Sequence, residues 1–428
     1  MAGLFQVFFW LSRDNLVTLN ENSFEKIESL SYSPFEGYDK NLLSSEQIAY
    51  DVNLFENFTN KLRTYGTLEA YKILQSSKDS NLPIDLGLWI GGDLEANNLE
   101  IQRALEILKE YPNRIQSVIV GNEVLLRKEL EPLELYAYID FMKSHTKKPV
   151  TTAETWDIWE KNPQLASHVD FLTIHILPYW EKVPIERYNE FIIEKYSVVE
   201  ELFPNRKIVI GETGWPSHGY NNNSAIPSIK NQAQAIRGFV NLAHEKGWHY
   251  NIIEALDQPW KGYDEGNVGQ YWGIFTTDRA LKFQLAGEVE LNKYWLYQMI
   301  AAIIIGALLT IFGLKNQRLN LSHALAYGIA AQGMAFGIVM AAIYPFVNYM
   351  NFGMWIMWGM GSFLMIPLVI ITLAKANELF RSSIGVQPSR LVPLDLKSKN
   401  APLVSIHVPA YKEQPHVLAE TLESLSKL

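Results

Sequence analysis

The 428-residue chain contains no cysteine. That excludes disulfides, thiolate nucleophiles and cysteine-based metal sites, while leaving either redox compartment open. It also lacks a basic patch with interleaved aromatics. Residues 1–290 carry 27 basic against 41 acidic side chains, a balance that repels a phosphate backbone, so no nucleic-acid partner is expected. No GxGxxG follows the first strand-like run and no GxxxxGK[ST] occurs, which removes the usual cradles for dinucleotides and nucleotide phosphates. HExxH is absent as well.

Acidic residues are missing altogether from 291–375, which hold four Lys/Arg and no Asp or Glu. Within that region, 294–314, 322–344 and 352–373 are long enough and apolar enough to cross a bilayer as helices, with small residues such as Gly328, Ala331, Gly333 and Gly337 for close packing. A lipid bilayer is therefore an expected partner. Lys315 and Arg318 follow the first of these segments, and Lys375, Arg381, Arg390, Lys397 and Lys399 follow the third, which places both regions in the cytoplasm and residues 1–291 outside. Export then calls for a signal, and the candidate is the apolar start GLFQVFFWL (3–11), short and with no preceding Lys or Arg, which reads as a poor signal anchor or the remnant of a longer one. The expected segments are 1–25 for this start, 26–290 for an outer domain, 291–375 for three membrane helices, 376–400 for a cytoplasmic linker and 401–428 for the beginning of a further domain.

What the outer domain does have is rhythm. Apolar strand-like runs recur near 26–31, 61–65, 84–89, 116–121, 148–153, 169–174, 207–211 and 250–256. Helical periodicity fills several intervals, as in 98–111 (Ile101, Leu105, Leu108) and 231–247 (Ile236, Phe239, Val240, Ala243). Eight strands alternating with helices over this length predict an α/β fold, a (β/α)₈ TIM barrel, with a meagre helix at 160–167 between the fifth and sixth strands. A doubly wound open sheet is the alternative.

In such a barrel the C-terminal strand ends share one cleft. The residues there are Tyr32; Arg63 and Tyr65; Trp89; Asn122 and Glu123; Glu154 and Trp156; His175, Tyr179 and Trp180; Glu212 and Trp215; and Glu254, Gln258 and Trp260. Aromatic faces stack on pyranose rings, and carboxylates and amides bind hydroxyls. Glycosidic cleavage needs a proton donor and a carboxylate on the opposite side of the anomeric carbon, and Glu123 (VIVGNEV) and Glu212 (VIGETGW), each ending an apolar strand, make the best pair. If the mechanism is retaining, their carboxyls should lie about 5–5.5 Å apart. Asn122 is placed for a sugar 2-hydroxyl, and His175 or Tyr179 for orienting the nucleophile. Glu123, Glu154 and Glu212 with His175 could also hold a divalent metal, but no close ligand pair is present, and neither metal nor cofactor is expected.

VGNEV (120–124) with IGETGWPS (210–217) resembles glycoside hydrolase family 17, the retaining β-1,3-glucanases and β-1,3-glucanosyltransferases, over about residues 26–288. The resemblance implies Glu123 as acid/base, Glu212 as nucleophile and a β-glucan substrate. In the family's plant members a Glu, a Lys and a further Glu surround the acid/base. Here 256–275 supplies Lys261 and Glu265 but has Gln258 in place of the first Glu, which puts the plant-type subsites and pH behaviour in question.

VSIHVPAYKEQPHVLAETLESL (404–425) resembles the opening of a family 2 glycosyltransferase, with Lys412 where that motif has Asn. The whole then looks like the bacterial form in which an exported family 17 domain is joined through membrane helices to a glucan synthase. The 28 residues from 401 lack the transferase's donor-binding aspartates and DxD motif, so this chain is expected to be a fragment or a shortened frame. The expected function is hydrolysis or transglycosylation of β-1,3-glucan at a bacterial inner membrane, with a membrane glucan synthase as partner. The alternative is an idle carbohydrate-binding or assembly subunit of such a synthase.

Overall fold

The computed structural model describes residues 2–12, 16–19, 26–315, 320–384, 406–408, 410 and 413–426. Arg318, Arg390, Lys397, Lys399 and Lys412, parts of the expected 1–25 segment, most of the expected linker and the first residues of the 401–428 segment lie outside the described residues.

Eight parallel strands close into a barrel: β1 (Leu30–Ser31), β2 (Leu62–Arg63), β3 (Ile84–Leu88), β4 (Ile115–Asn122), β5 (Val150–Thr155), β6 (Leu172–His175), β7 (Ile208–Thr213) and β8 (His249–Ile252). Each pairs with its neighbours in sequence, and β8 closes on β1. The expected strands are all present, and the open-sheet alternative is excluded by the closure. Of the apolar runs that made β4 and β7 legible, Val118, Val120, Ile208 and Ile210 are buried in the main hydrophobic core. That layer includes α2 (Ser45–Phe55), α3 (Thr67–Ser76), α4 (Leu94–Glu110), α5 (Pro132–His145), α7 (Tyr188–Leu202) and α8 (Ile229–Lys246). In α8, Ile236, Phe239, Val240 and Ala243 are buried as their spacing predicts, and Gly247 ends the helix in the left-handed region at φ 66°.

The helix expected at 160–167 is displaced. Residues Trp156–Lys161 form α6 directly after β5, and Pro163–Ser167 form a separate 3₁₀ turn. Pro163 has no N–H to continue an α-helix, so the two turns cannot merge. Trp156 consequently sits on the first turn of α6, at the edge of the barrel mouth.

Three further helices, α9 (Trp295–Leu314), α10 (Leu321–Val347) and α11 (Phe352–Ser383), are long and apolar enough to cross a membrane. Many of their large apolar side chains are exposed, among them Ile304, Ile311, Phe363 and Ile370, as lipid-facing positions would be. The N-terminal apolar segment, helix α1 (Ala2–Leu11), packs with them. Its Gln6 amide donates to the Gln332 carbonyl at 2.5 Å and accepts from the Trp10 indole at 3.1 Å. Trp10 is fully buried in a cluster with Ala302 and Val339.

Candidate active site

Two local irregularities aim the central carboxylates. In β4 the register against β5 shifts between Ile119 and Asn122, and Gly121 takes φ 81°. Only glycine adopts that conformation freely, and a Cβ there would lie 2.5 Å from the Val124 side chain. The strand thereby turns Asn122 and Glu123 over the barrel mouth. In β7 the register against β6 shifts between Ile210 and Glu212, around Gly211, where a Cβ would meet Thr173 at 2.4 Å.

Between the two carboxylates lies a polar chain. Arg63, 2% exposed, places Nη1 at 3.4 Å from Glu212 Oε1, donates from Nη1 to the Gly211 carbonyl at 2.5 Å and from Nη2 to Asn122 Oδ1 at 2.6 Å. Both Nη atoms lie 3.3 Å from His175 Nε2. A guanidinium has donors only, so Nε2 accepts, and the His175 hydrogen sits on Nδ1, which donates to Glu123 Oε1 at 2.7 Å. One oxygen each of Glu123 and Glu212 and a ring nitrogen of His175 all lie within 4.8 Å of one another. These three could be ligands of a cation, but the guanidinium of Arg63 already stands against two of them, which disfavours a second positive charge there.

A cleft extends from this pair in two lobes. The larger, about 650 Å³, is walled by Tyr65, Trp89, Asn122, Trp260 and Lys261. The smaller, about 270 Å³, is walled by Trp156, His175, Trp180 and Trp272. Glu123, Glu212, Ile253 and Glu265 border both. The carboxylate pair thus stands at the junction of the lobes.

Burial opposes ionisation of Glu123, but the hydrogen bond from His175 and the positive fields around it, Arg127 and Arg63 included, outweigh that and hold the carboxyl below its ordinary range. Glu265 behaves oppositely: burial and the charges of Glu212 and Glu123 push it up to about 7 against the pull of Lys261. Glu254 is likewise raised by burial to about 7, although Lys261 Nζ lies 2.8 Å away. Lys261 therefore finds its buried partner in Glu254, at the end of the barrel's last strand. Gln258 is a bracket: its amide donates to the Ser33 carbonyl at 2.9 Å and accepts from the Trp260 indole at 2.6 Å, fixing that ring at the cleft wall.

Several residues read as sugar-binding stand elsewhere. Tyr32 is buried with its ring edge-on to Phe55 and its hydroxyl donating to Asp51 at 2.9 Å. Trp215 is fully buried against Tyr188, its indole donating to the Ile226 carbonyl at 3.0 Å. Tyr179 supports the wall from behind, packing on Trp180, Trp215 and Trp272 while its hydroxyl donates to the Tyr220 carbonyl at 2.6 Å. Glu154 is buried, with both carboxylate oxygens accepting backbone N–H groups and burial raising it to about 7. None of these four side chains lines either lobe of the cleft. Sequence reasoning missed Trp272, Phe35 and Lys40. The last two come from a hairpin after β1 that pairs Phe35–Glu36 with Asn41–Leu42, and Lys40 lies 4.2 Å over the Trp260 ring. The turn FEGYDKN, with Gly37 at φ 68°, was the available signal.

A model of the BtgE/BtgC glycoside hydrolase domain matches residues 29–273. A glucan 1,3-beta-glucosidase of Schizosaccharomyces pombe is 27% identical over 255 residues, covering 55% of this chain and 79% of that protein. A longer relative from Aspergillus niger is 28% identical over 276 residues, 56% of this chain and 40% of its own length. Among solved structures, an active-site mutant of Rhizomucor miehei beta-1,3-glucanosyltransferase in complex with laminaritriose shares the fold, with a TM-score of 0.55 and 24% identity over 61% of this chain and 96% of that one.

Proposed function

The chain belongs to the BtgE/BtgC glycoside hydrolase family, and from that membership we propose that it is a retaining β-1,3-glucan enzyme in which Glu212 is the nucleophile and Glu123 the acid/base. The observation that carries this reading is the approach of the two carboxylates within 4.8 Å at the junction of a two-lobed cleft. Retaining glycosidases hold their carboxyls about 5–5.5 Å apart, whereas inverting ones leave roughly 6.5–9.5 Å for a water.

Glu212 attacks the anomeric carbon as the bond to the leaving oxygen breaks, and Glu123 protonates that oxygen. The glycosyl ester on Glu212 is then opened by water or by an acceptor hydroxyl, whose proton returns to Glu123. Asn122, with Oδ1 engaged by Arg63, keeps its amide hydrogens for the donor sugar's 2-hydroxyl. A sugar stacked in the smaller lobe among Trp156, Trp180 and Trp272 competes with water for the ester, which supports transglycosylation beside hydrolysis.

The test is product analysis with laminari-oligosaccharides. Products longer than the substrate mark transfer, and shortened products alone mark hydrolysis. A 2-deoxy-2-fluoro-glucosyl donor should label Glu212 in a peptide map; binding of glucan with no turnover and no label would support an idle subunit instead. A pH consequence follows from Glu123. Its free-enzyme carboxyl is held low, so the protonated form needed for acid catalysis grows as pH falls, and kcat/KM on laminari-oligosaccharides is expected to peak on the acid side of neutrality. A profile rising from pH 5 to pH 8 would contradict the role.

The membrane part of the reading is supported by α9, α10 and α11, and its orientation, with the barrel outside the cytoplasm, by the basic residues Lys315, Lys375 and Arg381 near their ends. The division at about residues 290, 375 and 400, a bacterial inner membrane, an exported glucan and a synthase partner rest on these helices and on the transferase-like 404–425 motif.

A further inference from the structure

Glu154 touches neither lobe of the cleft. Its side chain is fully buried, Oε1 accepting from the Leu125 N–H at 2.8 Å and Oε2 from the Leu126 N–H at 3.3 Å. Those donors belong to the turn that starts at Glu123. Arg127 N–H donates to the Glu123 carbonyl at 2.8 Å, Lys128 to Leu125 at 3.1 Å and Glu129 to Val124 at 3.1 Å. A turn wound this way leaves the N–H groups of its own first residues without partners inside it. Glu154, from the neighbouring strand, supplies them.

The turn needs an external anchor for a second reason. Glu123 takes φ 55°, a left-handed conformation unfavourable to any residue with a Cβ. Its own N–H donates to the Ala153 carbonyl at 2.7 Å. Residues 153 and 154 of β5 therefore hold the backbone on both sides of Glu123: the Ala153 carbonyl takes its N–H, and the Glu154 carboxylate takes the second and third N–H groups after it. His175 restrains the far end of the side chain.

We propose that Glu154 is a positioning residue for Glu123, its buried carboxylate pinning the Leu125 and Leu126 N–H groups so that the strained Glu123 backbone aims its carboxyl at the leaving oxygen. This rests on the reading of Glu123 as proton donor. Glutamine at 154 keeps the volume but turns an NH₂ donor toward an N–H donor, so one of the two pins becomes a repulsion.

The experiment uses the full chain in detergent micelles. Glu154→Gln is compared with wild type on laminaripentaose, whose leaving group needs a proton, and on a 2,4-dinitrophenyl laminaribioside, whose leaving group does not. Misplacing a reacting group by about 1 Å costs on the order of 10²-fold. The expected result is a loss of about 10²-fold on laminaripentaose, carried by kcat with KM nearly unchanged, and of less than about threefold in kcat/KM on the aryl substrate, where kcat/KM reports ester formation alone and so excludes the base role of Glu123 in opening the ester. Glu154→Asp, which keeps the charge on a shorter stem, should show the same leaving-group signature at smaller amplitude and serves if the Gln variant does not fold. Equal losses on both substrates, or none on either, overturn the proposal. Glu123→Gln separates the two claims. If it shows the leaving-group signature and neither residue-154 variant does, positioning fails while the acid role stands; if it lacks the signature, the acid role fails and the inference with it.

Discussion

Glu212→Gln should lower kcat on laminari-oligosaccharides by on the order of 10⁵-fold while leaving KM within a few-fold, because an amide forms no ester with the anomeric carbon and the rest of the cleft is untouched. Glu212 is 5% exposed and its Oε1 accepts no hydrogen bond among the described residues, with the Arg63 guanidinium its nearest cation. Few groups besides Arg63 would need to rearrange when the carboxylate attacks. The sharper version replaces Glu212 with Gly and supplies azide, which fits the vacated space. Restored turnover giving an α-configured glycosyl azide identifies the nucleophile, since azide then attacks from the side Glu212 occupied. A β-configured product, or Glu212→Gln with near wild-type kcat, would sink the assignment.

How much of this site could be read from the chain depends on which side of a strand end a residue takes. The runs SVIV (117–120) and IVI (208–210) announced two strands and, at their ends, Glu123 and Glu212. Arg63, Asn122 and His175 were found the same way, and the structure brings all five together. Glu154 occupies an equivalent strand end, but the β4–β5 register brings it against the backbone of Leu125 and Leu126 instead of the cleft. Trp215 lies three residues past Glu212, beyond the bulge at Gly211, and packs on Tyr188 of α7. Bulges and registers are decided by contacts between strands, and a single strand's pattern does not contain them. Trp272 and Lys40 were missed for a related reason: they reach the cleft from the connection after β8 and from the hairpin turn after β1, where no periodicity marks direction.

The same dependence on partners governs the apolar helices. Residues 3–11 read as a poor or remnant signal anchor because they are short and apolar. The bond from Gln6 to the Gln332 carbonyl and the burial of Trp10 against Ala302 and Val339 make α1 a packed member of the helix group. Two glutamines spaced by more than three hundred residues carry no joint signal in one sequence. An amide within an apolar helix is costly unless paired, so the pairing explains why Gln6 is tolerated there.

Arg63→Met is expected to damage both stability and turnover. The guanidinium meets Glu212, His175, Asn122 and the Gly211 carbonyl from a position 2% exposed, and methionine fills much of its volume without charge or donors. Breaking a buried ion pair from one side costs about 3–5 kcal/mol, since the remaining charge keeps its desolvation without its partner. Glu212 would be that remaining charge, at 5% exposure. His175 Nε2 and Asn122 Oδ1 would lose their donor together, freeing the ring that bonds Glu123 and the amide assigned to the 2-hydroxyl. A loss of about 10³-fold in kcat is expected from these combined displacements. Arg63→Lys discriminates between charge and shape. A single ammonium restores a cation near Glu212 but cannot span Gly211, Asn122 and His175 in one plane, so stability should recover in part while kcat stays low. Denaturant midpoints and kcat on laminari-oligosaccharides, measured for both variants in the full chain, decide the matter. If Arg63→Met kept kcat within tenfold of wild type, the chain Glu212–Arg63–His175–Glu123 would not be the scaffold on which the two carboxylates are held.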